Sequence, residues 1–183
     1  MQIVSIDPST LNVGWAAIQG LQRDAETNVW DDSNAKWKYG NWILSAHSLQ
    51  AKFQECAEYM IMEFDLNPEE DWMVLEWPMY FGSERGQVSA QLGHTLNLAG
   101  IVGYVSGYFR LPWRQVHLIT ANQWKGSVSK EITKMRFFRA MGVKQIFKVD
   151  HNAVDAVMLL FEFCKRKKIT FKLVTEHSIA ELD

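Results

Sequence analysis

The run from Gln2 to Ile18, QIVSIDPSTLNVGWAAI, decides the fold. Gln2 to Asp7 is a short, β-rich apolar stretch ending in a carboxylate. Pro8-Ser9-Thr10 interrupts it and Val13 to Ile18 resumes it, which is the pattern of a hairpin. Gly20 to Lys36 is polar and rich in Asp and Asn, suited to a long hairpin tip, after which Trp37 to Leu44 alternates as a third antiparallel strand. Trp72 to Glu76 (WMVLE) repeats the opening theme of an apolar strand finishing in an acid, and Trp77-Pro78 ends it. Gln115 to Ile119 supplies a fifth strand.

Helical periodicity fills the intervals. From Ser48, the residues Leu49, Phe53, Cys56, Met60 and Phe64 share one face until Asn67-Pro68 stops the helix. Gly86 to Phe109 reads as a long helix interrupted by Gly93, Gly100, Gly103 and Gly107. Each glycine costs about 1 kcal/mol relative to alanine, so close packing against another element, within the chain or on a partner subunit, is the expected compensation. Lys130 to Met141 forms a helix closed by Gly142, and His151 to Lys165 a final one begun after Asp150. The order βββαβαβαα predicts an α/β fold: a mixed five-stranded sheet, its first three strands antiparallel, flanked by helices. Without repeats or low-complexity linkers, residues 1–183 read as a single domain.

The chain has 183 residues, 48% of them hydrophobic and 22% charged, enough for a full core and incompatible with disorder, collagen or a coiled coil. Its net charge of −2 conceals a division. The first 109 residues carry 5 basic and 14 acidic side chains, whereas Arg110 to Lys172 carry 14 basic and 4 acidic. A positive stripe of this kind attracts phosphates whatever the total charge, although solvated helix faces also produce charge runs. The two cysteines, Cys56 and Cys164, lie apart in apolar helical segments without zinc spacing and read as buried free thiols of a reducing compartment. No basic start or cleavage site marks a signal peptide, and the uncharged stretch from Gly86 to Phe109 is too polar to span a bilayer. The expected location is cytoplasmic, with no membrane partner.

Three acids stand out by placement: Asp7 and Glu76 at strand ends, and Asp155 one turn into the last helix. Strand ends in a mixed sheet lie side by side, and a helix crossing that edge can bring up a third carboxylate. Clustered carboxylates repel one another and are tolerated chiefly around a hard divalent cation, which points to Mg2+ or Mn2+. Taken singly, Asp7 also suits a turn before Pro8, Glu76 a solvated strand end, and Asp155 a first-turn acid at the positive end of the helix dipole.

Five runs carry a resemblance: IDPSTLNVGWA (6–16), VLEWPMYFG (74–82), LGHTLNLAGIVGYVSG (92–107), NQWKGSVSKE (122–131) and HNAVDAVMLL (151–160). In order and spacing they resemble the RuvC-type Holliday-junction resolvases of the RNase H-like superfamily, especially divergent phage members. The resemblance implies a homodimeric endonuclease that nicks opposite strands of a four-way DNA junction, host-cytoplasmic if phage-encoded. It implies two Mg2+ or Mn2+ ions per site, one activating the attacking water and the other stabilising the leaving oxygen. Asp7 matches the bridging carboxylate, Glu76 the second ligand, Asp155 the C-terminal acid and Ser9 a small polar position beside the first acid.

The family's fourth ligand, an Asp or His three residues before the last acid, is here Asn152, whose carbonyl is a neutral and weaker donor. Asp150 and His151 are nearby substitutes for that ligand, although Asp150 also suits a helix N-cap and His151 a surface position. Lys125 and Lys130 match basic residues beside the scissile phosphate, Lys125 joining the catalytic set, while Gly126 and Ser127 suggest a tight loop whose backbone amides hold phosphate. Nucleic-acid contacts are expected from Tyr80, Phe81, Arg85, Lys125, Ser127, Lys130 and Lys134. Tyr80 or Phe81 would stack on bases at the opened junction, although either also suits the core. Trp77, Trp113 and Trp124 fall beside site or phosphate loops. His94 and His117 read as core histidines without a role.

Other readings of the same residues are an RNase H-like nuclease acting on other branched DNA or on RNA, and a non-catalytic junction-binding protein. An actin-like ATPase would need a second lobe that 183 residues do not supply.

Overall fold

The computed structural model describes residues 1–23, 30–31, 35–79, 93–142 and 148–169. The chain forms β1 (Gln2–Asp7), β2 (Asn12–Gln19), β3 (Gln22–Arg23), β4 (Trp30–Asp31), β5 (Lys36–Ile43), α1 (Leu49–Glu63), β6 (Trp72–Trp77), α2 (His94–Tyr108), β7 (Val116–Thr120), α3 (Ala121–Trp124), α4 (Lys130–Met141) and α5 (His151–Arg166). The main sheet has the order β5-β2-β1-β6-β7. β1, β2 and β5 pair antiparallel, while β1, β6 and β7 pair in parallel. This is the expected mixed five-stranded sheet with its first three long strands antiparallel. The polar hairpin tip carries a small ladder of β3 with β4; residues 24–29 and 32–34 lie outside the described part.

Strand alternation sends successive side chains to opposite faces of the sheet. Val4, Ile6, Met73 and Leu75 enter a core covered by α1 and α2, whereas Ile3 and Val74 enter a second core with α4 and α5. Ser5 confirms the second face, its hydroxyl donating to the Ala156 carbonyl of α5 at 2.7 Å. By the same period Asp7 and Glu76 lie on the α5 side. Ile6 and Leu75 are the last parallel pair of β1 and β6, and on both strands the next residue is an acid.

Helix starts follow local chemistry. Ser48, Ser129 and Asp150 cap α1, α4 and α5, each side chain accepting a first-turn amide. The helix expected from Gly86 begins instead at His94, because Gly93 adopts a left-handed φ of 74° that no α-helix continues through; residues 86–92 lie outside the described part. Gly100 packs as expected, since a Cβ there would lie 2.6 Å from the Phe53 ring of α1. Gly103 and Gly107 have nothing described within 4 Å of a Cβ. Cys56 and Cys164 are buried and free, and burial pushes the Cys56 thiol up to about 12 and Cys164 upward too, so neither is a nucleophile at neutral pH. Among the described residues no helix is long and apolar enough to cross a membrane.

Candidate active site

The C-terminal ends of β1 and β6 present Asp7 and Glu76, and α5 delivers Asp155 to them. Gly14, the β2 partner of Asp7, makes that delivery possible. A Cβ on Gly14 would lie 2.0 Å from the Asn152 carbonyl oxygen, so only glycine lets the first turn of α5 rest on the strand. Asn152 fastens the two elements together by donating its side-chain amide to the Asn12 carbonyl at 2.6 Å. Asp150 accepts the Asn152 backbone amide at 2.8 Å with one oxygen and the Asn12 side-chain amide at 3.0 Å with the other. The N-cap expectation for Asp150 therefore holds, and His151 is exposed as expected.

Asp155 is only 6% exposed and is paired with Lys125, whose Nζ lies 2.7 Å from its Oδ2. Burial holds the Asp7 carboxyl well above its ordinary pKa, and the charges of Glu76 and then Asp155 add to the rise, while Lys125 and Lys130 oppose it. Burial also raises Glu76, against the pull of the Lys125 charge and a hydrogen bond from Trp124. For Lys125, burial alone would lower the ammonium's pKa, but the hydrogen bond and charge of Asp155, with Glu76 and Asp7 behind them, reverse this and hold it raised. The three acids and Lys125 thus form one electrostatic unit.

Lys125 reaches that unit from a helix the sequence pattern does not announce. Thr120 and Gln123 form a capping box around the single turn of α3, with the Thr120 amide donating to Gln123 at 2.9 Å. Trp124 and Lys125 follow at its end. The Trp124 indole donates from Nε1 to Glu76 Oε2 at 2.6 Å, and Lys125 Nζ lies 4.6 Å from the centre of its ring. Proximity to Lys125 is the only sequence signal for Trp124. The T-x-x-Q spacing from Thr120 to Gln123 is the available signal for the helix.

The loop after Lys125 departs from expectation. The amides of Lys125 and Gly126 both donate to the Ala121 carbonyl, and that of Val128 to the Lys125 carbonyl. A helix end needs donors for its last carbonyls, and these amides serve it instead of being free for phosphate. Ser127 and Lys130 are exposed, and Lys134 Nζ lies 5.8 Å from the centre of the Phe138 ring. Ser9 accepts the Leu11 and Asn12 amides, shaping the turn beside Asp7. Tyr80, Phe81 and Arg85 lie outside the described residues.

Three further expectations meet the structure differently. His94 is exposed in the first turn of α2 and not in the core. Trp113, 88% exposed, precedes β7 and so lies at the sheet end opposite Asp7 and Glu76. His117 packs against Trp72 and Phe163 but is only half-buried, with its Nε2 lacking a hydrogen-bond partner among the described residues, and burial, with the Lys167 charge, lowers it to about 4.

Asp7, Glu76 and Asp155 offer hard oxygen donors whose mutual repulsion a divalent cation would relieve, so the donor chemistry fits Mg2+ or Mn2+. With Asp155 bonded to Lys125 and Glu76 to Trp124, no three His, Cys, Asp or Glu side chains among the described residues form a ready metal cage. Lys125 stands where positive charge is needed.

The sheet order, with its antiparallel and parallel pairs and flanking helices, is the RuvC-like form of the RNase H-like fold. Two solved structures share it: Thermus thermophilus RuvC, with a TM-score of 0.57 and 13% identity over 92% of this chain and 97% of that one, and T. thermophilus RuvC in complex with a Holliday junction substrate, with a TM-score of 0.56 and 14% identity over 91% and 96%. No protein-family model matches the chain, and no curated protein does.

Proposed function

We propose that this protein is a metal-dependent, structure-selective DNA endonuclease that resolves four-way junctions by paired nicks, acting as a homodimer in the cytoplasm. The observation that carries the reading is the electrostatic unit of Asp7, Glu76, Asp155 and Lys125 on the C-terminal edge of a RuvC-like sheet. Asp7, Glu76 and Asp155 would hold two Mg2+ or Mn2+ ions, with the Asn152 carbonyl as a weaker fourth donor. Bound there, the ions supply activation of the attacking water and stabilisation of the leaving oxygen. Lys125, once released from Asp155, offers its ammonium to the scissile phosphate, and Lys130 and Lys134 extend the positive surface along α4. The phosphate is held by these side chains, the Gly126 amide being already bonded to the Ala121 carbonyl.

The test is substrate competition with the purified protein: a labelled mobile four-way junction against linear duplex, flap DNA and RNA–DNA hybrid, with and without Mg2+ or Mn2+. Metal-dependent preference for the junction supports resolution. Equal cutting of flaps or of the hybrid replaces it with a broader branched-DNA or RNA nuclease. Tight, metal-independent junction binding without cutting assigns a junction-binding protein, a reading that the Lys125–Asp155 ion pair and the neutral Asn152 favour over other non-nuclease functions.

A further inference from the structure

Beside the acids, a cleft of about 440 Å3 opens between the end of α3, α4 and α5. Its volume lies in the range of about 300–1,000 Å3 that encloses small organic groups. Trp124, Met158 and Phe161 give it an apolar, aromatic lining, and Lys125, Arg136, Lys165 and Lys168 border it. The carboxylate among its described lining residues, Glu162, is already paired with Arg166 at 2.9 Å and Lys125 with Asp155, which leaves Arg136, Lys165 and Lys168 as the dominant charges. The left-handed turn at Lys168, with φ of 57°, folds the chain back after α5, burying Ile169 against the cleft while Lys165 and Lys168 remain at its border.

We propose that this cleft binds an unpaired nucleotide of the DNA strand next to the scissile phosphate, the base on its aromatic lining and the flanking phosphates on Arg136, Lys165 and Lys168. An aromatic lining within a ring of cations complements a base joined to phosphodiesters, and Lys125 belongs both to this cleft and to the acid site. A paired base cannot enter a concave cleft without leaving its stack, so the occupant is a strand that has already opened, as at the centre of a branched substrate. The inference deepens the nuclease reading and rests on it for the identity of the strand.

The experiment is fluorescence anisotropy of a labelled short oligothymidylate, and of an abasic strand of equal length, with the wild type, Arg136→Ala/Lys168→Ala and Ala140→Trp, which narrows the cleft without changing charge. The wild type should bind the oligothymidylate at least about fivefold tighter than the abasic strand. The double variant should weaken both and flatten the salt dependence by about 0.7 for each phosphate that is no longer neutralised. Ala140→Trp should erase the preference for bases while keeping the salt dependence. Equal wild-type affinity for the two strands, or variants that bind like the wild type, overturns the proposal, as does displacement of the oligothymidylate by free dTMP as readily as by unlabelled strand. Junction cleavage by the wild type, measured in parallel, separates the outcomes: cutting without a base preference removes the cleft and leaves the nuclease, whereas a base preference without cutting does the reverse.

Discussion

Trp124 donates its indole N–H to Glu76 at 2.6 Å, tying the end of a one-turn helix to the end of β6. The bond fixes one carboxylate oxygen and counts among the influences holding the Glu76 pKa down against burial. Partners of this kind orient metal ligands, and their loss costs about 10- to 100-fold in metal affinity. Trp124→Phe keeps the ring and removes the donor. Calorimetric titration with Mn2+ should show at least about a tenfold weaker association in the variant, and an unchanged isotherm would remove Trp124 from the site.

Among the described residues, the ion pair of Lys125 with Asp155 joins α5 to the loop after α3. Lys125→Ala strands a buried carboxylate beside two others, so the metal-free variant should melt at least about 3 °C below the wild type, the shift that roughly 1 kcal/mol produces in a chain of this size. Mg2+ should restore more of the melting temperature in the variant than it adds to the wild type, because it supplies the missing charge. Differential scanning calorimetry with and without Mg2+ measures both, and an equal Mg2+ effect in the two proteins would contradict the surrogate-cation role of Lys125.

Asp7 carries a pH dependence of defined sign. Its folded pKa lies above the unfolded value of about 3.9, so the fold prefers the protonated acid. This group's favourable contribution is complete below the unfolded pKa and is lost as pH rises through the folded one. In metal-free protein, Asp7→Asn should therefore raise the melting temperature at pH 7 by about 3 °C or more and add little at a pH near 4. Melting curves across that range decide it; destabilisation at pH 7 would show that Asp7 is not repelled by Glu76 and Asp155.

Gly14→Ala tests the seat of α5. The added Cβ meets backbone atoms of Asn152, which cannot rotate away as a side chain would. Overpacking costs about 1–3 kcal/mol, and displacing α5 also draws Asp155 from the other acids. The variant should melt at least about 3 °C lower and bind Mn2+ more weakly; normal melting and normal Mn2+ binding together would show that the close approach is dispensable.

The legible parts of the molecule are local ones. Asp7 and Glu76 can be read because strand alternation and an acid at the strand end are written in a few consecutive residues. Asp155 follows from its place one turn beyond an N-cap. The Trp124–Glu76 bond spans 48 residues and leaves no periodic trace. The four-residue helix α3 is too short for its hydrophobic pattern to register, and only its capping box betrays it. Gly126 suggests an amide cradle because its left-handed turn is real, at φ of 59°, but the Ala121 carbonyl takes the Gly126 amide and that of Lys125. The start of α2 is misplaced in the sequence pattern because a glycine within an apolar run does not itself announce a positive φ.

The most direct test of the central claim, that the three acids form a metal-dependent nuclease centre, compares wild type and Asp7→Asn on one end-labelled four-way junction, following cleavage by denaturing gel and binding by native gel. The wild type should give symmetric, paired nicks only when Mg2+ or Mn2+ is present, and Asp7→Asn should retain junction binding without nicks. Undiminished nicking by Asp7→Asn would contradict it.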